Sequence, residues 1–262
     1  MVHIRMGRLS LAAIALVSGG CKNFSRDMKD VSITPSATYW KPEVTGDMAI
    51  TAGSKPGTAT ETRLDEDLGL DGDYQWTARL DVQAGKHRIG VEYLPIQLSG
   101  STLSNDDFTF HGATYPAGDK ISSDLGLTTW IARYDYQITA NKKTADSLRI
   151  GIDGWLWDFD SQVKGTPSGN DESRHFSHFY PGVHGELTFD AGHNLTTTLF
   201  GSYATTSLDT RLWDLSASLA YTISDKAFIS LGYRWITWDF NESTNDGDFA
   251  LRGPYVGLAL RF

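Results

Sequence analysis

Toward the C-terminal end of the chain, apolar and polar residues alternate with a period of two. From Arg211 to Ile223 the odd positions are Trp213, Leu215, Ala217, Leu219, Tyr221 and Ile223, and the even ones are Asp214, Ser216, Ser218, Ala220 and Thr222. From Ala227 to Trp238, Ile229, Leu231, Tyr233 and Trp235 oppose Ser230, Gly232 and Arg234. The final segment sets Val256, Leu258, Leu260 and Phe262 against Tyr255, Gly257, Ala259 and Arg261. Successive side chains leave a strand on opposite faces, so each segment predicts a β-strand with one apolar and one polar side. The same pattern predicts strands over 74–84, 87–98, 125–139, 148–160, 179–191 and 195–205, with a weaker first strand over 37–50 that Pro42 interrupts. That makes about 10 strands. Twelve fit if 58–70 adds a hairpin, and eight if the first pair lies outside the wall. Most reach the ~9 to 11 residues that cross a bilayer in a tilted barrel wall.

The connections sort by length. Segments 84–86, 140–146, 191–194 and 224–226 are short, whereas 51–73, 100–124, 164–174 and 241–247 are mostly longer, and the two kinds alternate. Periplasmic turns and extracellular loops differ in this way, which requires an even strand number and both termini in the periplasm. No run of 18 or more apolar residues exists to span a bilayer as a helix. A mean hydropathy of -0.30 is no objection to a barrel, because only every second residue faces lipid. The eight Trp and eleven Tyr suit girdles at the membrane boundary, where one end of the ring is wet.

Alternation alone cannot separate inside from outside, since a soluble sandwich shows the same pattern. Three features point to a membrane: the loop-length asymmetry, the terminal Phe262 and the N-terminal segment. Residues 1–20 carry Arg5 and Arg8, then an apolar stretch from Leu9 to Val17, then Ser18-Gly19-Gly20. Charged, apolar, small is the order of a secretory signal peptide. Cys21 follows, and small residues directly before a cysteine resemble a lipoprotein box, with Ser18 standing where Leu is usual. Cys21 is therefore the expected lipidation site, against an ordinary cleavage site that happens to lie beside a cysteine. It is the only cysteine in the chain, so no internal disulfide is expected. The expected organisation is a signal peptide over 1–20, a periplasmic leader over 21–36 and an outer-membrane barrel over 37–262. The net charge of -9, with no clustering of Lys and Arg, argues against a nucleic-acid partner. The expected partners are outer-membrane lipids and the barrel assembly machinery, with Phe262 as the assembly signal; the oligomeric state is left open.

The stretch from Gly85-Lys86-His87-Arg88-Ile89-Gly90-Val91-Glu92-Tyr93-Leu94-Pro95 through Phe110-His111-Gly112-Ala113-Thr114-Tyr115 and Ser123-Asp124-Leu125-Gly126-Leu127 to Tyr134-Asp135-Tyr136 resembles a group of uncharacterised proteobacterial outer-membrane β-barrel proteins. The ending Gly253-Pro254-Tyr255-Val256-Gly257-Leu258 extends the likeness over most of the barrel. In general architecture it is similar to the small OmpA- and OmpW-like barrels. The resemblance implies a fold and a location, and no activity.

If the apolar face meets lipid, the other face lines the lumen. Its charges are Arg79, Arg88, Arg133, Arg149, Arg234 and Arg261 against Asp81, Glu92, Asp135, Asp153, Glu186 and Asp214. Buried ions need partners, and the planar fork of Arg suits carboxylates, so an ion-pair network filling a narrow lumen is expected. A wide aqueous pore takes ~16 to 18 strands. The expected role is non-enzymatic: envelope structure, surface binding or small-solute passage through a largely closed lumen. The alternative is a lipid hydrolase of the lipid A deacylase or phospholipase type. Those enzymes carry His-x-Ser on one strand, and His175-Phe176-Ser177 has that spacing. His178 follows where the deacylase pattern has Asn, and Glu186 and Asp190 are imperfectly spaced for the third partner. Outer-membrane proteases need an Asp pair facing an Asp-His pair; Asp158 and Asp160 offer the first, and no Asp-x-His occurs in the chain. His111, His175, His178 and His184 match no metal-ligand spacing and are read as loop-surface residues. No metal and no cofactor is expected.

Overall fold

The computed structural model describes residues 31–51, 59–140, 146–207, 210–241 and 245–262. The expected signal peptide over 1–20 and Cys21 lie outside the described residues. In chain order the strands are β1 (Val31–Trp40), β2 (Glu43–Ile50), β3 (Thr62–Arg63), β4 (Leu70–Gly72), β5 (Gln75–Ala84), β6 (His87–Leu103), β7 (Phe108–Phe110), β8 (Ala113–Tyr115), β9 (Lys120–Ala140), β10 (Ser147–Thr166), β11 (Asp171–Gly192), β12 (Leu195–Ser207), β13 (Thr210–Ser224), β14 (Ala227–Asn241) and β15 (Asn245–Leu260). There is no helix among them.

β1 pairs with β5, then β6, β9, β10, β11, β12, β13, β14 and β15 follow side by side, and β15 returns to β1. Every pairing is antiparallel. The sheet is thus a closed barrel and its backbone is satisfied from strand to strand, as a lipid environment demands. β2 prolongs β1 beyond Pro42 on the same neighbour: Trp40 lies opposite Tyr255 and Glu43 opposite Arg252, one unbroken register. Proline, with no N–H to donate, interrupts the hydrogen bonding without moving the strand off its partner. β1 and β2 therefore count as one wall strand, and the barrel has 10. Segment 58–70 adds no wall strand, because β3 and β4 only extend the pairing of β2 and β6.

The wall already includes Val31, six residues before the position expected from sequence. Ser32, Thr34 and Ser36 fill the inward positions and Pro35 an outward one, so only Val31 and Ile33 carry the apolar signal there. Larger corrections come at the long-loop end. Segments 100–124 and 164–174, read as loops, are largely strand: β6 runs on to Leu103, β9 begins at Lys120, β10 reaches Thr166 and β11 begins at Asp171.

The cause is a change of sign along most of the long strands. On β10, Ile150, Ile152 and Leu156 face outward and Arg149 and Asp153 inward; further on, Asp158, Asp160, Gln162 and Lys164 face outward and Trp157, Phe159 and Val163 inward. Register does not slip at that point, yet polarity inverts. β6 inverts between Tyr93 and Leu94, β9 between Trp130 and Thr129, β14 between Trp235 and Ile236. Below the inversion an apolar belt is exposed, with Ile152 62% and Leu231 63% accessible. Such a belt, running round the whole closed wall, is the lipid-facing surface of a transmembrane barrel. Above it the barrel is built like a soluble one, polar outside and apolar within. The short turns, Val31 and Phe262 share the belt end, where Ile33 and Phe262 exchange two backbone hydrogen bonds of 2.9 Å. Phe262 itself is exposed, in line with Val256, Leu258 and Leu260.

Candidate functional site

Inside the belt, parity places charged residues face to face across the lumen. Arg234 donates to Glu92 at 2.6 Å and through two nitrogens to Asp214 at 2.9 Å each. Arg133 clamps the same two carboxylates, bonding Glu92 closely and lying 3.3 Å from Asp214. Arg88 bridges Asp135 at 2.8 Å and Glu186 at 2.9 Å, Arg149 adds a bond of 3.0 Å to Asp135, and Arg79 holds Asp81 in a fork of two 2.8 Å bonds. Five of these ten side chains, those of Glu92, Arg133, Asp135, Arg149 and Asp214, are buried and the other five half-buried, and mutual pairing is what makes buried ions tolerable. Two of the twelve positions differ. Among the described residues Asp153 meets no arginine; Ser202 donates to it at 2.6 Å and His184 Nδ1 lies 3.4 Å away. Arg261 sits at the rim over the Phe228 ring, 4.6 Å from its centre.

His184 corrects the loop-surface reading. Its side chain is 0% exposed and lies between Asp153 and Asp135, whose Oδ2 is 3.7 Å from Nε2. Gly151 stands opposite it in register, and a Cβ at that position would come within 2.7 Å of the ring, so the glycine makes room for the imidazole. The clue in the sequence was parity: His184 is two residues from inward Glu186 on the same strand. His178 also points inward, near Trp157 and Tyr180, and His111 Nδ1 lies 3.1 Å from Glu172.

Beyond the ion pairs the lumen is filled by rings. Trp157 stacks on Trp238 at 6.2 Å, Phe159 on Phe176 at 4.6 Å and Trp238 on Phe249 at 5.0 Å. The long connections close the top: Leu64, Leu68 and Leu70 come from one, Phe108, Phe110 and Tyr115 from the other, and Tyr115 donates to the Val163 carbonyl at 2.8 Å.

His175 and Ser177 lie on β11 rather than in a loop, on its outer face just above the belt that Phe179 and Leu156 begin. Across the ladder Asp160 stands opposite His175 and Asp158 opposite Ser177, and His175 Nδ1 is 2.8 Å from Asp160 Oδ1. The orienting carboxylate thus comes from the preceding strand, whereas Glu186, downstream, points inward to Arg88. Since Asp158 and Asp160 face outward, they do not form an acidic pair across the barrel mouth. Among the described residues no group of three or more His, Cys, Asp or Glu is placed to hold a metal.

A closed antiparallel wall, a lipid-facing belt and a charged lumen define a transmembrane β-barrel of the bacterial outer-membrane type. A solved structure shares the fold. The outer-membrane protease OmpT from Escherichia coli superimposes with a TM-score of 0.55 at 9% identity, over 88% of this chain and 97% of that one. The translocator domain of the autotransporter NalP from Neisseria meningitidis gives 0.46 at 11% identity, over 88% of each chain. Ail from Yersinia pestis gives 0.38 at 10% identity, over 89% of this chain and 99% of that one. No protein-family model and no curated protein sequence matches the chain.

Proposed function

We propose that the protein is a closed, non-enzymatic outer-membrane barrel serving envelope structure and surface binding, with its short turns in the periplasm and its apolar-cored half standing above the outer leaflet. One observation carries this reading: the lumen is occupied at two successive levels, by paired ions inside the belt and by packed aromatic rings above it. An ion crossing it would have to displace paired charges and then enter an apolar interior, each a cost of several kcal/mol. Planar-bilayer recordings of the purified protein are expected to show no steady conductance. Large, stable channels would overturn the reading and make solute passage the leading role.

A second reading, a lipid ester hydrolase, is favoured by the Asp160–His175 contact. A carboxylate on Nδ1 leaves Nε2 to act as base, and Ser177 shares its face two residues nearer the lipid. On this reading Ser177→Ala abolishes an increase in lyso-lipids or free fatty acids that the native protein produces in cells. Identical lipid mass spectra with native protein, with Ser177→Ala and without the protein would remove the hydrolase.

A further inference from the structure

At the short-turn end, below the aromatic core, the lumen opens into a cavity of about 330 Å³. It arises because the two sides of the barrel are unequal. β5, β6, β9 and β11 send in six of the eight charged side chains, whereas β1 and β12 to β14 contribute Asp214 and Arg234 and otherwise short residues such as Ser36, Thr38, Thr198, Ser216, Ser218 and Ser230. The ionic residues on its border are four arginines and four carboxylates, so the lining has no net charge. Arg133 Nε, on a buried lining residue, has no hydrogen-bond partner among the described residues. Trp40, Phe200, Phe228 and Tyr255 add ring faces to the same wall.

We propose that this vestibule binds a neutral polyhydroxylated solute of one or two sugar rings, entering from the short-turn end. Size, polarity and charge agree on that class. The volume is at the lower end of the ~300 to 1,000 Å³ typical of ligand sites and holds about ten waters at ~30 Å³ each. A small ion would lose its hydration against a wall with no net charge to offset the loss. A hydrocarbon would strip water from the hydroxyls and ion-pair edges and leave them unpaired. A polyol brings alternating donors and acceptors to those groups and lays its C–H faces on the rings. The aromatic core ends the cavity, so the solute is held rather than conducted.

The test uses the full chain refolded in a detergent without a sugar head group, titrated with glucose, sucrose and N-acetylglucosamine, and with glycine and phosphate for comparison. Saturation-transfer NMR is expected to show saturable binding of at least one sugar and none of glycine or phosphate. Ser218→Phe, which fills the cavity, is expected to weaken that binding at least tenfold while the protein keeps its heat-modifiable migration in gels. Ala220→Leu, nearer the mouth, takes its place if the phenylalanine prevents folding. No saturable sugar signal, or one that neither variant reduces, would mean a water-filled vestibule only and overturn the proposal; saturable glycine or phosphate binding instead would overturn the ligand class. Conductance does not enter this readout, so the closed-barrel reading stands or falls separately.

Discussion

Outside the belt, three aspartates line up across neighbouring strands: Asp239 lies opposite Asp248, and Asp248 opposite Asp47. Like charges directly opposite in a sheet repel. Partial burial, then the Asp239 and Asp47 charges, push the Asp248 carboxyl above its ordinary pKa; partial burial and Glu61 do the same for Asp47. A raised carboxyl pKa means that the folded barrel holds the proton more tightly than the unfolded chain does. The penalty on folding is therefore full above that pKa and fades as the pH falls through it. Asp248→Asn is expected to raise the melting temperature at neutral pH, with the gain shrinking on acidification into the carboxylate range. Melting curves of the two proteins that coincide at neutral pH would refute this. The row was visible in the sequence only as three separate aspartates, because cross-strand register brings them together and no local pattern encodes it.

For whole strands, alternation was readable over most of the belt where apolar residues face lipid, and strands β12 and β13 were placed to within a few residues of their observed bounds. It failed where water replaces lipid. Asp171-Glu172-Ser173-Arg174-His175 has no apolar outward position, so the first turns of β11 looked like loop. Their apolar partners lie on other strands, as Phe176 shows by stacking on Phe159. The upper half of the barrel thus depends on ring packing for its stability, and Trp157, which is fully buried, is in its centre. Trp157→Ala is expected to cost about 3 to 5 kcal/mol, and the loss should stay local. Limited proteolysis should then cut β10 and β11 beyond the belt while the membrane half, held by its ion pairs, remains protected. Cuts within the belt, or unchanged resistance in the upper half, would show that the two halves are one cooperative unit.

Taken as a whole, the barrel shows why closure was easier to foresee than content. Strand parity foretold which charges face inward, and ten of the twelve do meet one another in ion pairs. It did not foretell the aromatic core, because that core faces the side assigned to water. The inversion line has a mechanical consequence for the molecule in its membrane. Sinking by one or two outward positions would draw Asp158, Asp239 and Arg252 into hydrocarbon, and rising by one would lift Leu156, Trp235 and Val256 out of it. Charges on the lipid face cost up to ~2 to 4 kcal/mol at the midplane and less toward the surface, so displacement either way is opposed by a force that grows with depth. The line works as a waterline: it sets how deep the barrel floats, and it does so on several strands at once, leaving little freedom to bob or tilt.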